Sequence, residues 1–254
     1  DLIEDRRNNP VETVGLATPW SEFNYQYGGL REGNIYSVCS RAGHGKTTWI
    51  NELCLKTAFK HKIPCLMLDT EVETIDIQFR MAAAVTGCPV YLLETGKWAR
   101  SERWEPIVRA KLPELKKYEG IKHVHVANKD VNQISAIARR WYMRDVGRGN
   151  PCMLAYDYIK LTGEKVSEHF KEYQVLSKKI DTLHQLAKEL HAPLIVAMQL
   201  NKKGEGGRYA PVDDSSAFAA TDSLQSFSTF TAIFRRKTNE EFALDGEEAG
   251  THKM

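Results

Sequence analysis

The chain has 254 residues, 42% hydrophobic and 27% charged, which is enough apolar material for one sizeable core and shows little sign of disorder. Its 35 lysines and arginines nearly balance 33 aspartates and glutamates, so any nucleic-acid contact has to come from local patches and not from a global field. Five scattered cysteines without a CxxC pair argue against a zinc site, and no apolar run is long enough to span a bilayer; a soluble, cytoplasmic protein with reduced, buried thiols and no membrane partner is expected.

Short, nearly continuous apolar runs of strand length lie at Ile35–Cys39, Cys65–Leu68, His123–Ala127, Cys152–Tyr156, Pro193–Met198 and Thr229–Phe234. Segments with helical spacing fall between them, at Thr47–His61, Ile75–Val85, Val131–Arg144 and Tyr173–Leu190. That alternation predicts one α/β domain with a mostly parallel central sheet and helices on both faces. Leu92–Tyr118, with Trp98, Trp104 and two prolines, is expected to be helical decoration outside the sheet. The polar stretches Thr162–Glu168 and Asn201–Ser216 read as long loops after central strands. The start at Asp1 and the stop at Met254, just after an acidic, glycine-containing turn, lead to the expectation of further sequence at both ends.

The run Ser40-Arg41-Ala42-Gly43-His44-Gly45-Lys46-Thr47 joins the first strand to the first long helix. Binding a phosphate there needs a tight turn whose N–H groups converge on the anion, followed by a helix whose N-terminus adds positive potential. Gly43 and Gly45 permit the turn, Lys46 reaches outer phosphates, and Thr47 offers its hydroxyl to magnesium, with Thr48 following. Ser40 stands where the common pattern has its first glycine, a mild steric change. His44 is expected at the loop tip, facing solvent.

Hydrolysis further needs a magnesium holder, a base and a sensor of the γ-phosphate. Asp157 follows the apolar run Cys152–Tyr156 and suits the first role. Glu71, in Leu68-Asp69-Thr70-Glu71, emerges after the second strand and is the choice for the base, with Asp69 and Glu73 as competitors. Gln199 ends the Pro193–Met198 strand and can hydrogen-bond a γ-phosphate without adding charge.

Together these residues resemble the C-terminal motor domain of the DnaB family of replicative helicases, a branch of the RecA-like ATPases. Gly28-Gly29-Leu30-Arg31-Glu32-Gly33 is similar to the family's GGL-x-x-G entry, and Arg41 with Gly45-Lys46-Thr47-Thr48 to its RP-x-x-GKTT loop. Tyr156-Asp157-Tyr158-Ile159-Lys160-Leu161 resembles its IDYLQL segment. Leu186-Ala187-Lys188-Glu189-Leu190, then Pro193 and Gln199-Leu200-Asn201, resembles its LAKEL to QLN stretch.

The resemblance implies a RecA-like P-loop core that binds ATP through Ser40–Thr48 and Mg2+ through Thr47 and, via water, Asp157. It also implies Glu71 as catalytic glutamate, Lys46 and Gln199 as γ-phosphate-contacting residues, and an active-site or ion-pairing role for Arg80. A homo-oligomeric ring, usually of six subunits, would thread single-stranded DNA and would partner a primase or a helicase loader. Lys160, Lys165, Lys202, Lys203 and Arg208 would contact DNA phosphates, with Gly204, Gly206 and Gly207 letting backbone N–H groups approach.

The family's segment after the second loop is replaced by Asp213-Asp214-Ser215-Ser216-Ala217-Phe218, and no K-x-R arginine finger follows Arg235-Arg236-Lys237. Glu241–Met254 reads as the hairpin leading towards that finger. The domain organisation is then an entry segment, 1–27, and a motor domain, 28–254, without the family's N-terminal collar and final strands. A strand-exchange recombinase and a regulatory or loader ATPase that never translocates are the competing expectations.

Overall fold

The computed structural model describes residues 2–115, 119–164, 172–199, 226–246 and 250–254. Two short helices, α1 (Leu2–Asn8) and α2 (Ser21–Tyr27), precede the first strand β1 (Ile35–Ser40) and the helix α3 (Lys46–His61). Then come β2 (Cys65–Asp69), α4 (Thr74–Thr86), α5 (Val90–Glu94), a 3-10 turn at Lys97–Arg100, and α6 (Trp104–Leu115). β3 (Ile121–His125), α7 (Val131–Trp141) with a π turn at Tyr142–Val146, β4 (Met153–Ile159), α8 (Glu172–Glu189) and β5 (Leu194–Gln199) complete the alternation. β6 (Phe230–Ile233), β7 (Arg235–Arg236), α9 (Asn239–Asp245) and β8 (His252–Lys253) follow.

Six strands form one sheet in the order β3-β2-β4-β5-β1-β6, and every described pairing in it is parallel. Strands buried on both faces have no reason to alternate polar and apolar residues, which is why they show as continuous runs in the sequence. One face carries Leu66, Leu68, Leu154, Tyr156, Leu194 and Val196 against Ile134, Ala138 and Trp141 of α7 and Ile180, Leu183 and Leu186 of α8. The other carries Tyr36, Met67, Met153, Ala155, Ile195 and Ala197 against Ile50, Leu53 and Cys54 of α3. Each fully buried aliphatic side chain here contributes about 1.5–3 kcal/mol relative to exposure. All five cysteines are free and buried.

Four expectations need correction. β3 begins at Ile121 and ends at His125, two residues before the expected run, because Ile121 pairs with Cys65 and His125 with Asp69. β4 does not stop at Tyr156: it continues through Asp157 to Ile159, with a shift of register against β5 after Tyr156. Glu241–Met254 is not a plain hairpin; its described part holds most of α9, which is opened by a capping box between Thr238 and Glu241, before β8 returns antiparallel to β7. His44 is half-buried instead of facing solvent.

Outside the sheet, Ala82, Cys88, Leu93 and Val108 gather with Phe79, Trp98 and Trp104 in a separate small core built by α4, α5 and α6. Residues ahead of β1 pack onto the domain from Gly15 onward. Leu16 and Leu30 exchange both backbone hydrogen bonds, at 2.9 and 2.8 Å, and Trp20 stacks on Trp49 at 5.1 Å. Among the described residues no helix is long and apolar enough to cross a membrane.

Candidate nucleotide site at the carboxyl ends of the strands

Parallel pairing brings the carboxyl ends of β1, β2, β4 and β5 to one edge of the sheet. Register makes this specific: Ser40 lies opposite Gln199, and Asp69 opposite Asp157. Between β1 and α3 the chain turns through Gly43 at φ +75° and Gly45 at φ +84°. No atom within 4 Å would meet a Cβ on Gly43, so it is the left-handed backbone, not crowding, that calls for glycine there. His44 N–H donates to the Arg41 carbonyl at 3.3 Å, closing the turn. The first N–H groups of α3, from Lys46 on, have no acceptor within their own helix and point towards the loop, as at any helix start.

Lys46 is buried, and its ammonium pairs with the Asp157 carboxylate and lies 4.2 Å from the centre of the Tyr158 ring. The second Asp157 oxygen, Oδ2, and His44 Nδ1 are both buried without a hydrogen-bond partner. An unpaired acceptor of this kind suits the water shell of a hard cation. Among the described residues no cluster of three or more His, Cys, Asp or Glu can hold a metal by itself, so a magnesium ion here fits only with Thr47, Asp157 and the nucleotide's own phosphates as its neighbours. Burial lowers the proton affinity of His44, and the positive neighbours Arg236, Arg41 and His252 lower it further. That set of cations is a favourable setting for a polyphosphate.

The three carboxylates of the turn after β2 separate by environment. Asp69 is buried, and its Oδ1 accepts the N–H groups of Glu71 and Val72, each at 2.7 Å. Burial pushes its carboxyl up, yet the nearby His123 ring and the hydrogen bonds from the Val72 and Glu71 N–H groups outweigh this and hold it below the usual carboxylate range. Its acceptor sites shape the turn. Glu73 faces solvent, 3.7 Å from His125 Nε2. Glu71, by contrast, meets Lys160 Nζ at 3.3 Å, and that ammonium shares the Tyr158 ring with Lys46 of the Lys46–Asp157 pair.

Gln199 is half-buried at the end of β5, and Arg80 is half-buried on α4. Lys160, assigned by resemblance to DNA, turns its ammonium back to Glu71. The remaining DNA expectations, Lys165, Lys202, Lys203, Gly204, Gly206, Gly207 and Arg208, lie outside the described residues, as does the segment 213–218.

Several neighbours of the loop carry no signal in the sequence. Tyr158 lies between Lys46 and Lys160, 4.2 and 4.8 Å from their ammonium groups, and its hydroxyl is pushed up to about 12, first by burial and then by Glu71 and Asp157. Phe234 stacks on His252 at 5.0 Å and lies 6.2 Å from Trp49. A Cβ on Gly45 would be 3.7 Å from Phe234, so this aromatic group flanks the loop itself, and it lines a cavity of ≈ 870 Å3 together with residues of α2 and β6. Lys179, on α8, is buried against Glu164 at 2.9 Å and donates to the Lys160 carbonyl and the Thr162 hydroxyl.

The model of the DnaB-like helicase C-terminal domain matches residues 15–211. The chain belongs to that family. Among curated relatives it is 26% identical to the replicative DNA helicase DnaB of Buchnera aphidicola (subspecies Acyrthosiphon pisum) over 195 residues, 76% of this chain and 40% of that protein. With the replicative DNA helicase DnaB of Leifsonia xyli it shares 27% over 209 residues, 81% of this chain and 43% of the relative. The chain thus spans less than half the length of the curated relatives it matches.

Two solved structures share the fold at a TM-score of 0.80 and 14% identity, each over 97% of this chain: a DnaB-like replicative helicase described with its primase interactions, and a second protein's ATPase domain solved on its own. The chain covers 57% of the first and 84% of the second. The DnaB-like domain of this chain is therefore a RecA-like α/β unit, with the candidate site at the carboxyl ends of its parallel sheet.

Proposed function

We propose that this DnaB-like domain is an ATP-hydrolysing motor that moves along single-stranded DNA and unwinds duplex DNA as part of a ring. The observation that supports it most is the convergence of Lys46, Asp157 and Glu71 around Tyr158, at the edge where Ser40 and Gln199 also end. The turn from Ser40 to Thr48 holds the phosphates through its N–H groups, and Lys46 leaves Asp157 for the outer phosphates. Glu71 orients the attacking water and takes its proton; Gln199 hydrogen-bonds the γ-phosphate. Thr47 and Asp157 would hold a magnesium ion, which would supply neutralisation of the charge that builds up on the outer phosphates. The adenine packs beside Trp49, Phe234 and His252.

The relatives named as replicative DNA helicases support the DNA-unwinding role, and a ring of six follows the family. The neighbour described with primase makes a primase a partner to test, along with a helicase loader. Such a motor works where bacterial or phage DNA is copied, in the cytoplasm. Lys165, Lys202, Lys203 and Arg208 are proposed phosphate contacts of the DNA path, with backbone N–H groups at Gly204, Gly206 and Gly207.

ATP turnover by the full-length protein, with and without single-stranded DNA, and unwinding of a forked duplex test this assignment. Stimulation and unwinding are the expected results. Turnover indifferent to DNA, without unwinding, would leave a regulatory or loader ATPase.

A further inference from the structure

Lys160 directly follows Ile159, the last residue of β4, and puts a cation against the candidate base. Lys160 Nζ lies 3.3 Å from Glu71 Oε1 and 4.8 Å from the Tyr158 ring centre. An ammonium thus engages a carboxylate oxygen that an attacking water needs.

The backbone of Lys160 is held separately. Its carbonyl accepts a 2.9 Å hydrogen bond from the buried Lys179 ammonium, which anchors the main chain while the long side chain can swing. The ion pair itself is open to solvent, with side-chain exposures of 31% for Lys160 and 52% for Glu71. Pairs in such a setting are weak, so a competing anion can replace Glu71 at small cost.

We propose that Lys160 is a positioning residue that keeps Glu71 engaged until a phosphate takes over its ammonium, so that phosphate capture and hydrolysis are coupled through one side chain. This rests on Glu71 being the base. The phosphate has two sources: the backbone of a nucleic acid beyond the end of β4, or the outer phosphate of the nucleotide, since Lys46 shares the Tyr158 ring with Lys160.

The test is steady-state ATP turnover by the full-length protein carrying Lys160→Gln or Lys160→Arg, over a range of ATP, with and without an oligothymidylate. If the nucleic acid is the source, Lys160→Gln raises kcat without DNA by about two- to fivefold, the span that one such ion pair covers, and stimulation by the oligonucleotide shrinks by the same factor. If the nucleotide is the source, Lys160→Gln raises the KM for ATP by a similar factor and leaves kcat and stimulation alone. In either case Lys160→Arg, which keeps the cation, restores most of what glutamine loses; a merely structural role would shift the unfolding midpoint and not these ratios. Lys160→Gln with kcat and KM both unmoved in the absence of DNA, or with a lowered kcat, overturns the proposal. Glu71→Gln separates the failures. Wild-type turnover in that variant removes the base and the coupling together, whereas an inactive Glu71→Gln beside an indifferent Lys160→Gln removes the coupling alone.

Discussion

His123 Nε2, on the edge strand β3, lies 3.8 Å from Asp69 Oδ2 at the end of β2, and both side chains are only 4% exposed. His123 Nδ1 meets the Thr74 hydroxyl at 2.9 Å, while His125, two residues on, reaches the Val72 carbonyl at 3.2 Å. Two side chains of one strand therefore brace the turn that carries Glu71 from below. Replacing His123 by alanine leaves Asp69 buried with less support, and the turn loses its fixed shape. The expected result is a loss of kcat of about tenfold, a bracing contact being worth about 1–1.5 kcal/mol, with the affinity for ATP unchanged. Equilibrium nucleotide binding and steady-state kinetics on the same variant check this.

The pH dependence of stability follows from Asp69. Its folded carboxyl is held below the ordinary value of 3.8, so the ionised form contributes stability that is present above that value and lost as pH falls through the folded value. Asp69→Asn should flatten the acid limb of a plot of melting temperature against pH below about 4. An acid limb as steep as that of the wild type would place the titrating group elsewhere.

His44 reports on the phosphate loop. Burial and three positive neighbours lower its proton affinity, so below about 6.5 the unfolded chain takes the proton more readily and stability falls with pH. A bound polyphosphate reverses the sign of the local field and should raise the His44 pKa. Histidine NMR titrations with and without magnesium ATP measure the change directly.

Lys179 and Glu164 form a buried ion pair. Burial pulls the ammonium down and Glu164 partly offsets it, while backbone and Lys179 hydrogen bonds keep the carboxyl ionised despite its own desolvation. Lys179→Met alone strands a buried carboxylate and should cost about 3–5 kcal/mol in denaturant unfolding; adding Glu164→Gln should recover a large part. Without that recovery, the contacts of Lys179 with the Lys160 carbonyl and Thr162 would carry the effect instead.

Much of this was legible in the sequence because the determinants are local. β5 and β1 are buried on both faces, so Pro193–Met198 and Ile35–Cys39 stand out as apolar runs, and Gly43 and Gly45 mark a turn that only positive φ permits. β3 was displaced by two residues because an edge strand is only half-buried, and Ile121-Lys122-His123-Val124-His125 carries a weaker apolar signal than Val124–Ala127. What could not be read are contacts between residues far apart in the chain. Tyr158 and Glu71, or Phe234 and Gly45, come together only through sheet register. Lys179 looks like any surface lysine of an amphipathic helix until β4 and its following turn are packed over it.

In the proposed function Glu71, and not Asp69 or Glu73, is the base acting on phosphates held by the Ser40–Thr48 turn. The most direct measurement is ATP binding and ATP turnover by full-length Glu71→Gln protein in the presence of single-stranded DNA. Binding within a few-fold of wild type is expected, with turnover reduced by about 100- to 10,000-fold, the range that a positioned general base supplies. Turnover at the wild-type rate with binding intact would contradict it.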